Sequence, residues 1–211
     1  DVTNPSKTGS TTQVRAISSG FHLEASVSPA SAYAGEVFIL AVKVTNDAGS
    51  VIQEINSAVT IEVRNASDQS PGRGTLLTTG FQLLQGHREV TETYTFAEPI
   101  IIIARDDAGN APATSNVITI TPGPPSAVRL SSDPVWVGGN KHATLLARVV
   151  DDYENGVPAQ PVSWSLLSGT GTLTPIDNTT DGSGEARADF LSPRQPETDQ
   201  IRAASRALTR D

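Results

Sequence analysis

One stretch of sequence grammar occurs twice. Val59, Ile61 and Val63 alternate with polar residues and are followed by Gly72-x-Gly74-x-Leu76; Val162, Trp164 and Leu166 alternate with serines and are followed by Gly169-x-Gly171-x-Leu173. Alternation sends every second side chain to one face, which is the period of a β-strand and not of a helix. Val162, Trp164 and Leu166, with Leu173 beyond the glycines, are therefore the candidate core of the second copy, and Ser163 and Ser165 face outward. A chain built from two such copies is constrained to two sheet-based units.

Read in order, residues 1–19 are an arm or linker rich in Ser, Thr and Asn. The first unit covers 20–121, with strands expected over 21–27, 37–45, 59–64, 75–84, 89–96, 100–105 and 116–121. A turn at Asn46-Asp47-Ala48-Gly49 uses Asn and Asp to satisfy local backbone groups and Gly to accept a positive φ. Residues 122–125, Pro-Gly-Pro-Pro, form a short stiff linker, because proline offers no N–H to a ladder and holds an extended backbone. The second unit, 126–211, repeats the pattern from 127 to 205. Matching landmarks lie roughly 100 residues apart, the size of an immunoglobulin-like sandwich. The expected fold class is all-β: two tandem immunoglobulin-like β-sandwiches joined by a short Pro-rich linker.

Charge and composition remove several classes of function. The net charge of −8 opposes a phosphate backbone, so nucleic acid is not expected as a partner. With no cysteine there is no disulfide framework, thiolate metal site or thiol nucleophile. The longest aliphatic run, 100–103, falls far short of the roughly 20 apolar residues a spanning helix needs, so no membrane insertion is expected. No charged-then-apolar leader opens the sequence, so a signal peptide is absent or already removed.

The second unit resembles the bacterial immunoglobulin-like repeats of invasin- and intimin-type adhesins and of many large secreted bacterial proteins. The residues that carry this are Asp152 with Gly156-Val157-Pro158, then Val162-Ser163-Trp164, Gly169-Thr170-Gly171-Thr172-Leu173, Thr180-Asp181-x-x-Gly184-x-Ala186 and Ile201-x-Ala203. They run over 125–205. The first unit keeps Gly72-x-Gly74-x-Leu76 but lacks the Thr-Asp-x-x-Gly-x-Ala turn, and resembles a generic bacterial Ig-like module. The resemblance implies a structural, non-catalytic module, extracellular or at the bacterial cell surface, that spaces other parts of a protein and in some members carries adhesion.

Candidate chemistry is sparse. Asp106 and Asp107 in one loop, and Asp151 and Asp152 in another, supply the oxygen donors that calcium takes. The EF-hand template fails at Tyr153 and Val162, where an oxygen donor and a bidentate Glu are needed. Turn formation accounts for the same acids, so the chain is read as needing no cofactor, with calcium as the open candidate. His22, His87 and His142 are scattered, and no Ser sits in a Gly-x-Ser-x-Gly elbow, so neither zinc nor a triad has its parts. Trp136, Trp164, Tyr33, Tyr94 and Tyr153 are the candidates for a sugar-stacking platform, set against burial in the cores.

The end of the second unit carries the sharpest expectation. The first unit closes with strands over 100–105 and 116–121, whereas the second reaches 200–205 with about six residues left, so its last strand is missing, cut off with a longer chain, or formed within 207–211. An open sheet edge of this kind accepts an extended segment by strand addition. Val2, Val14 and Ile17 in the arm are the candidate donor residues. The chain is thus expected to be a spacer or adhesin stalk, or a filament subunit joined head to tail. Its partners are then other domains of the parent protein or identical subunits, with a host receptor or glycan beyond. The alternative is an accessory spacer or glycan-binding module of a secreted polysaccharide-degrading enzyme.

Overall fold

A computed structural model describes residues 20–205. Fifteen strands and no helix are present among them. The first unit contains β1 (Phe21–Ser28), β2 (Ser31–Tyr33), β3 (Phe38–Asn46), β4 (Ala58–Asn65), β5 (Gly80–Gln82), β6 (His87–Glu92), β7 (Pro99–Asp106), β8 (Ala113–Thr114) and β9 (Ile118–Thr121). The second contains β10 (Ala127–Asp133), β11 (His142–Val150), β12 (Val162–Ser168), β13 (Thr172–Pro175), β14 (Glu185–Leu191) and β15 (Gln200–Ser205). They form two tandem immunoglobulin-like sandwiches.

In the first sandwich a sheet ordered β1-β3-β6 faces one ordered β2-β9-β7-β4-β5, with β8 paired to β7. The alternation along β3, in which Phe38, Leu40, Val42 and Val44 are buried, fills one side of a single core that Val59, Ile100, Ile102, Ile118 and Ile120 fill from the other. Strand β9 lies antiparallel to β7 and parallel to β2, with Ser31, Ala32 and Tyr33 opposite Thr119, Ile120 and Thr121. It closes the core by inserting Ile118 and Ile120.

The long strand expected over 75–84 is replaced by an irregular segment with β5 at its end and single bridges Leu76–Tyr94 and Leu84–His87. One buried carboxylate takes backbone donors that a ladder would have used, and a second ties down the residues just before them. Glu92 accepts from the N–H of Leu77 at 3.0 Å and of Thr78 at 3.2 Å, and from the Thr78 hydroxyl. Glu98, its side chain only 2% exposed, accepts from Arg73 N–H at 2.8 Å, Tyr94 O–H at 2.7 Å and Asn65 Nδ2 at 2.9 Å, with the Arg73 guanidinium Nε at 3.2 Å. Tyr94 O–H in turn accepts Gly74 N–H at 2.7 Å. Burial pushes the Tyr94 hydroxyl up, with its hydrogen bond to Glu98 adding to the shift. Burial works against the Glu98 charge, yet the donors of Tyr94, Arg73 and Asn65 outweigh it and hold the carboxyl below the usual range.

The second sandwich sets a sheet ordered β10-β11-β14-β13 against a pair, β12-β15, so that among the described residues the second sheet has two strands. Its core is divided. One cluster gathers Ala147, Val149, Val157, Val162 and Ala186; the other gathers Leu145, Ala188 and Phe190, with Leu166, Leu173 and Ile201 half-buried against it. Trp164 is half-buried and packs on both, its indole N–H donating to Asp177 O at 3.0 Å. The Gly156-Val157-Pro158 and Asp181-to-Gly184 motifs meet here. A Cβ on Gly156 would sit 1.9 Å from Ser183 O, so the close approach of the two turns requires glycine.

Candidate functional site

Where β11 ends the chain turns sharply, and the residues of that turn reach into the first sandwich. Asp151 Oδ1 accepts the N–H of Tyr153 at 2.8 Å and of Asn155 at 2.9 Å, while Asp151 O accepts Glu154 N–H at 3.2 Å with Glu154 at φ +63°. This is a side-chain-capped turn, built because a short carboxylate can satisfy N–H groups two and four residues on. The Asn155 amide also donates to Asp151 Oδ2 at 2.9 Å.

Held this way, Asn155 presents its amide to two backbone groups of the first sandwich. Its Nδ2 donates to Thr95 O at 2.9 Å and its Oδ1 accepts Ala97 N–H at 2.9 Å. Asp151 Oδ2 accepts the N–H of Gly123, in the linker, at 2.8 Å. The Tyr153 ring lies over Gly35, where a Cβ would come within 2.3 Å of it; φ +79° at that residue also favours glycine. Asp151 and Asn155 are both buried. The joint is thus a polar clamp of three cross-unit or linker hydrogen bonds beside one aromatic contact.

The turn that opens the first sandwich is built identically. Asn46 Oδ1 accepts Ala48 N–H at 3.0 Å and Ser50 N–H at 2.9 Å, Asn46 O accepts Gly49 N–H at 2.8 Å, and Gly49 sits at φ +78°. It follows β3 as the 151–155 turn follows β11.

The calcium candidates fall in two separate loops. Asp106 receives Asn110 N–H at 3.1 Å and Asn110 Nδ2 at 2.6 Å, and Asp107 Oδ1 receives Ala58 N–H at 2.9 Å. Asp151 has both oxygens engaged as described, and Asp152 is exposed. Among the described residues no three His, Cys, Asp or Glu side chains converge as a metal site. His22 pairs with Asp47 at 2.7 Å and His142 with Asp189 at 2.8 Å, each partner lying far off in sequence and each pair at the surface. The five aromatics are dispersed: Tyr94 is fully buried, Trp164 is half-buried, Tyr33 is exposed at the end of β2, Tyr153 sits at the joint, and Trp136 is 90% exposed at the opposite end of the second sandwich, where the 134–139 loop lies. Val2, Val14 and Ile17 lie outside the described residues.

Asn155 reads from sequence as one more oxygen donor of the 151–155 turn, but its tie to the first sandwich escaped because its partners are backbone atoms of Thr95 and Ala97, which leave no residue-type signature. A signal was nevertheless present, in the spacing shared by Asn46 with Ser50 and Asp151 with Asn155. Glu98 escaped for a similar reason, since its donors come from three separate segments.

Among solved structures the chain is similar to the D00-D0 domain of intimin, at 19% identity, covering 90% of this chain and 94% of that one with a TM-score of 0.44. It is similar to the Escherichia coli adhesin FdeC at 14% identity, 89% and 61% coverage and a TM-score of 0.41. The Yersinia pseudotuberculosis adhesin InvE gives 14%, 87%, 55% and 0.43. The chain thus spans 61% of the FdeC chain and 55% of the InvE chain. No curated protein matches it. No helix among the described residues is long and apolar enough to cross a membrane. The family model of the bacterial Ig-like domain (group 1) matches residues 125–208, the span of the second sandwich.

Proposed function

We propose that the chain is a non-catalytic, stiff spacer segment of a bacterial cell-surface or secreted protein, a stalk that holds a receptor- or glycan-binding part away from its anchor. The observation that supports this reading is the joint. Three hydrogen bonds through the buried side chains of Asp151 and Asn155, with Tyr153 on Gly35, oppose rotation of one sandwich against the other. A connection made only of the linker would leave relative motion as the default. Small-angle X-ray scattering tests it. The intact chain should give one narrow distribution of inter-unit angles, and Asn155→Ala should broaden it and lower the maximum dimension. An intact chain that already scatters as a free two-bead ensemble would sink the spacer reading.

The two-stranded β12-β15 sheet favours a second reading within the same class, in which such segments join head to tail by strand addition into an extracellular filament. The accessory-module alternative has Trp136 as its supporting observation, since an exposed indole can stack on a sugar ring. Pull-down on cellulose, chitin and peptidoglycan separates them: the spacer remains unbound, whereas the accessory module is retained and Trp136→Ala releases it.

A further inference from the structure

Asn155 and Gly156, at the joint, are the one Asn-Gly pair in the sequence. Asparagine is a thermolabile residue, and a following glycine makes it most so, because with no Cβ the glycine nitrogen can close on the asparagine Cγ and expel the amide as ammonia. The fold holds both members of the pair in place. Gly156 is required by the turn it faces, since a Cβ there would lie 1.9 Å from Ser183 O. Asn155 is required by the joint, which needs a donor for Thr95 O and an acceptor for Ala97 N–H on one short side chain; an ionised aspartate offers acceptors only. Backbone pairing also leaves the nucleophile free. Val150 and Gly156 face each other across a bridge whose hydrogen bonds run from Asp151 N–H to Asn155 O at 3.0 Å and from Val157 N–H to Val149 O at 2.8 Å, and Gly156 N–H has no acceptor among the described residues. What restrains the reaction is the amide itself. It is buried, its Nδ2 donates to Thr95 O and Asp151 Oδ2 at 2.9 Å each, and its Oδ1 accepts from Ala97, so Cγ is free to turn onto the Gly156 nitrogen only when the joint opens.

Resting on the reading of this joint as what stiffens the spacer, we propose that Asn155 is a self-modification site that turns a transient opening of the joint into a permanent one. The Gly156 nitrogen gives its proton to solvent base and bonds to Asn155 Cγ; the Cγ–Nδ2 bond breaks, and Nδ2 leaves as ammonia with a proton from water. Water then adds to either carbonyl of the resulting five-membered imide and opens it, to aspartate or to isoaspartate. The net change is one water consumed and one ammonia released, with no oxidation or reduction. Aspartate at 155 sets an acceptor-only carboxylate against Thr95 O and against the Asp151 carboxylate, where the amide had been a donor to both. Isoaspartate lengthens the backbone by one methylene inside the turn that Asp151 caps, so Asn155 N–H loses its register with Asp151 Oδ1. Neither product touches the side chains of the two cores. The clamp is lost and the linker remains, so an ageing stalk acquires a hinge.

Incubation of the full chain in mildly alkaline buffer tests this, with peptide mass mapping to read the exchange of NH₂ for OH at 155 and anion exchange to separate the product by its added negative charge. Conversion at Asn155 should be slow in the intact chain and fastest in urea. In Tyr153→Ala, which removes the ring over Gly35 and leaves the Asn-Gly pair, it should run about 5-fold or more faster than in the intact chain, in proportion to the more frequent opening. By small-angle scattering the separated product and Asn155→Asp should both show a broad distribution of inter-unit angles, and the fresh chain a narrow one. A narrow fresh chain combined with equal conversion rates in the intact chain and Tyr153→Ala, or with a product that stays narrow, would overturn the modification site and leave the stiff spacer standing. A fresh chain that already scatters broadly would overturn both.

Discussion

Glu98→Ala is expected to destabilise the first sandwich by about 3–5 kcal/mol, the loss typical of removing one partner from a buried charged network. The cost comes from what stays behind. The Tyr94 hydroxyl, the Arg73 N–H and the Asn65 amide lose their shared acceptor in a site where the carboxylate was 2% exposed, so solvent replaces it poorly. Glu98→Gln keeps the shape and one acceptor and should lose less. Two-transition thermal or denaturant unfolding, followed by probes in each sandwich, checks this: the first transition moves and the second does not. Acid adds a sign. Because the folded carboxyl titrates below the ordinary Glu value of about 4.3, its contribution is present above that pH and is lost as pH falls through the lower folded value. The first sandwich of the intact chain should therefore weaken steeply below about pH 4, and Glu98→Gln should flatten that limb.

Asp151→Ala should cost the second sandwich about 3–4 kcal/mol and release the joint in the same step. Three backbone N–H groups, from Tyr153, Asn155 and Gly123, lose their acceptor, and each unpaired buried donor costs about 1–3 kcal/mol with some rescue by water. Asp151→Asn is the informative control. Its amide oxygen can still cap the Tyr153 and Asn155 N–H groups, but its NH₂ then faces both the Gly123 N–H and the Asn155 Nδ2, donor against donor. The turn should survive while the tie to the linker is lost. Hydrogen exchange at Tyr153, Asn155 and Gly123 reads the two effects apart. Protection kept at Gly123 in the asparagine variant would show that the carboxylate does not hold the linker.

Much of the fold could be read from side-chain period alone. Val162, Ser163, Trp164, Ser165 and Leu166 do alternate between inside and outside along β12, and the glycines after them mark where turns come close together. The 46–50 and 151–155 turns were legible as turns because Asn, Asp and Gly act on their own neighbours. What failed was anything decided across the chain. Alternation over 75–84 favours a strand, but Glu92 claims the Leu77 and Thr78 N–H groups from a distance, and Glu98 holds the Arg73 N–H just before them. Strand β2, three residues long, carries no period to read, and it forms because β9 returns beside it. The joint was hidden for the same reason: Asp151 is recognisable as a turn former, but nothing in its vicinity announces that Asn155 will meet Thr95 and Ala97.

The parallel pairing of β2 with β9 has a mechanical consequence. One strand comes early and the other last in the chain of the first unit, so tension on a tethered stalk drags them in opposite directions along their own length. The three residue pairs of that ladder bear the force together, in shear, instead of peeling one after another. The second sandwich has no such latch beside β15 among the described residues.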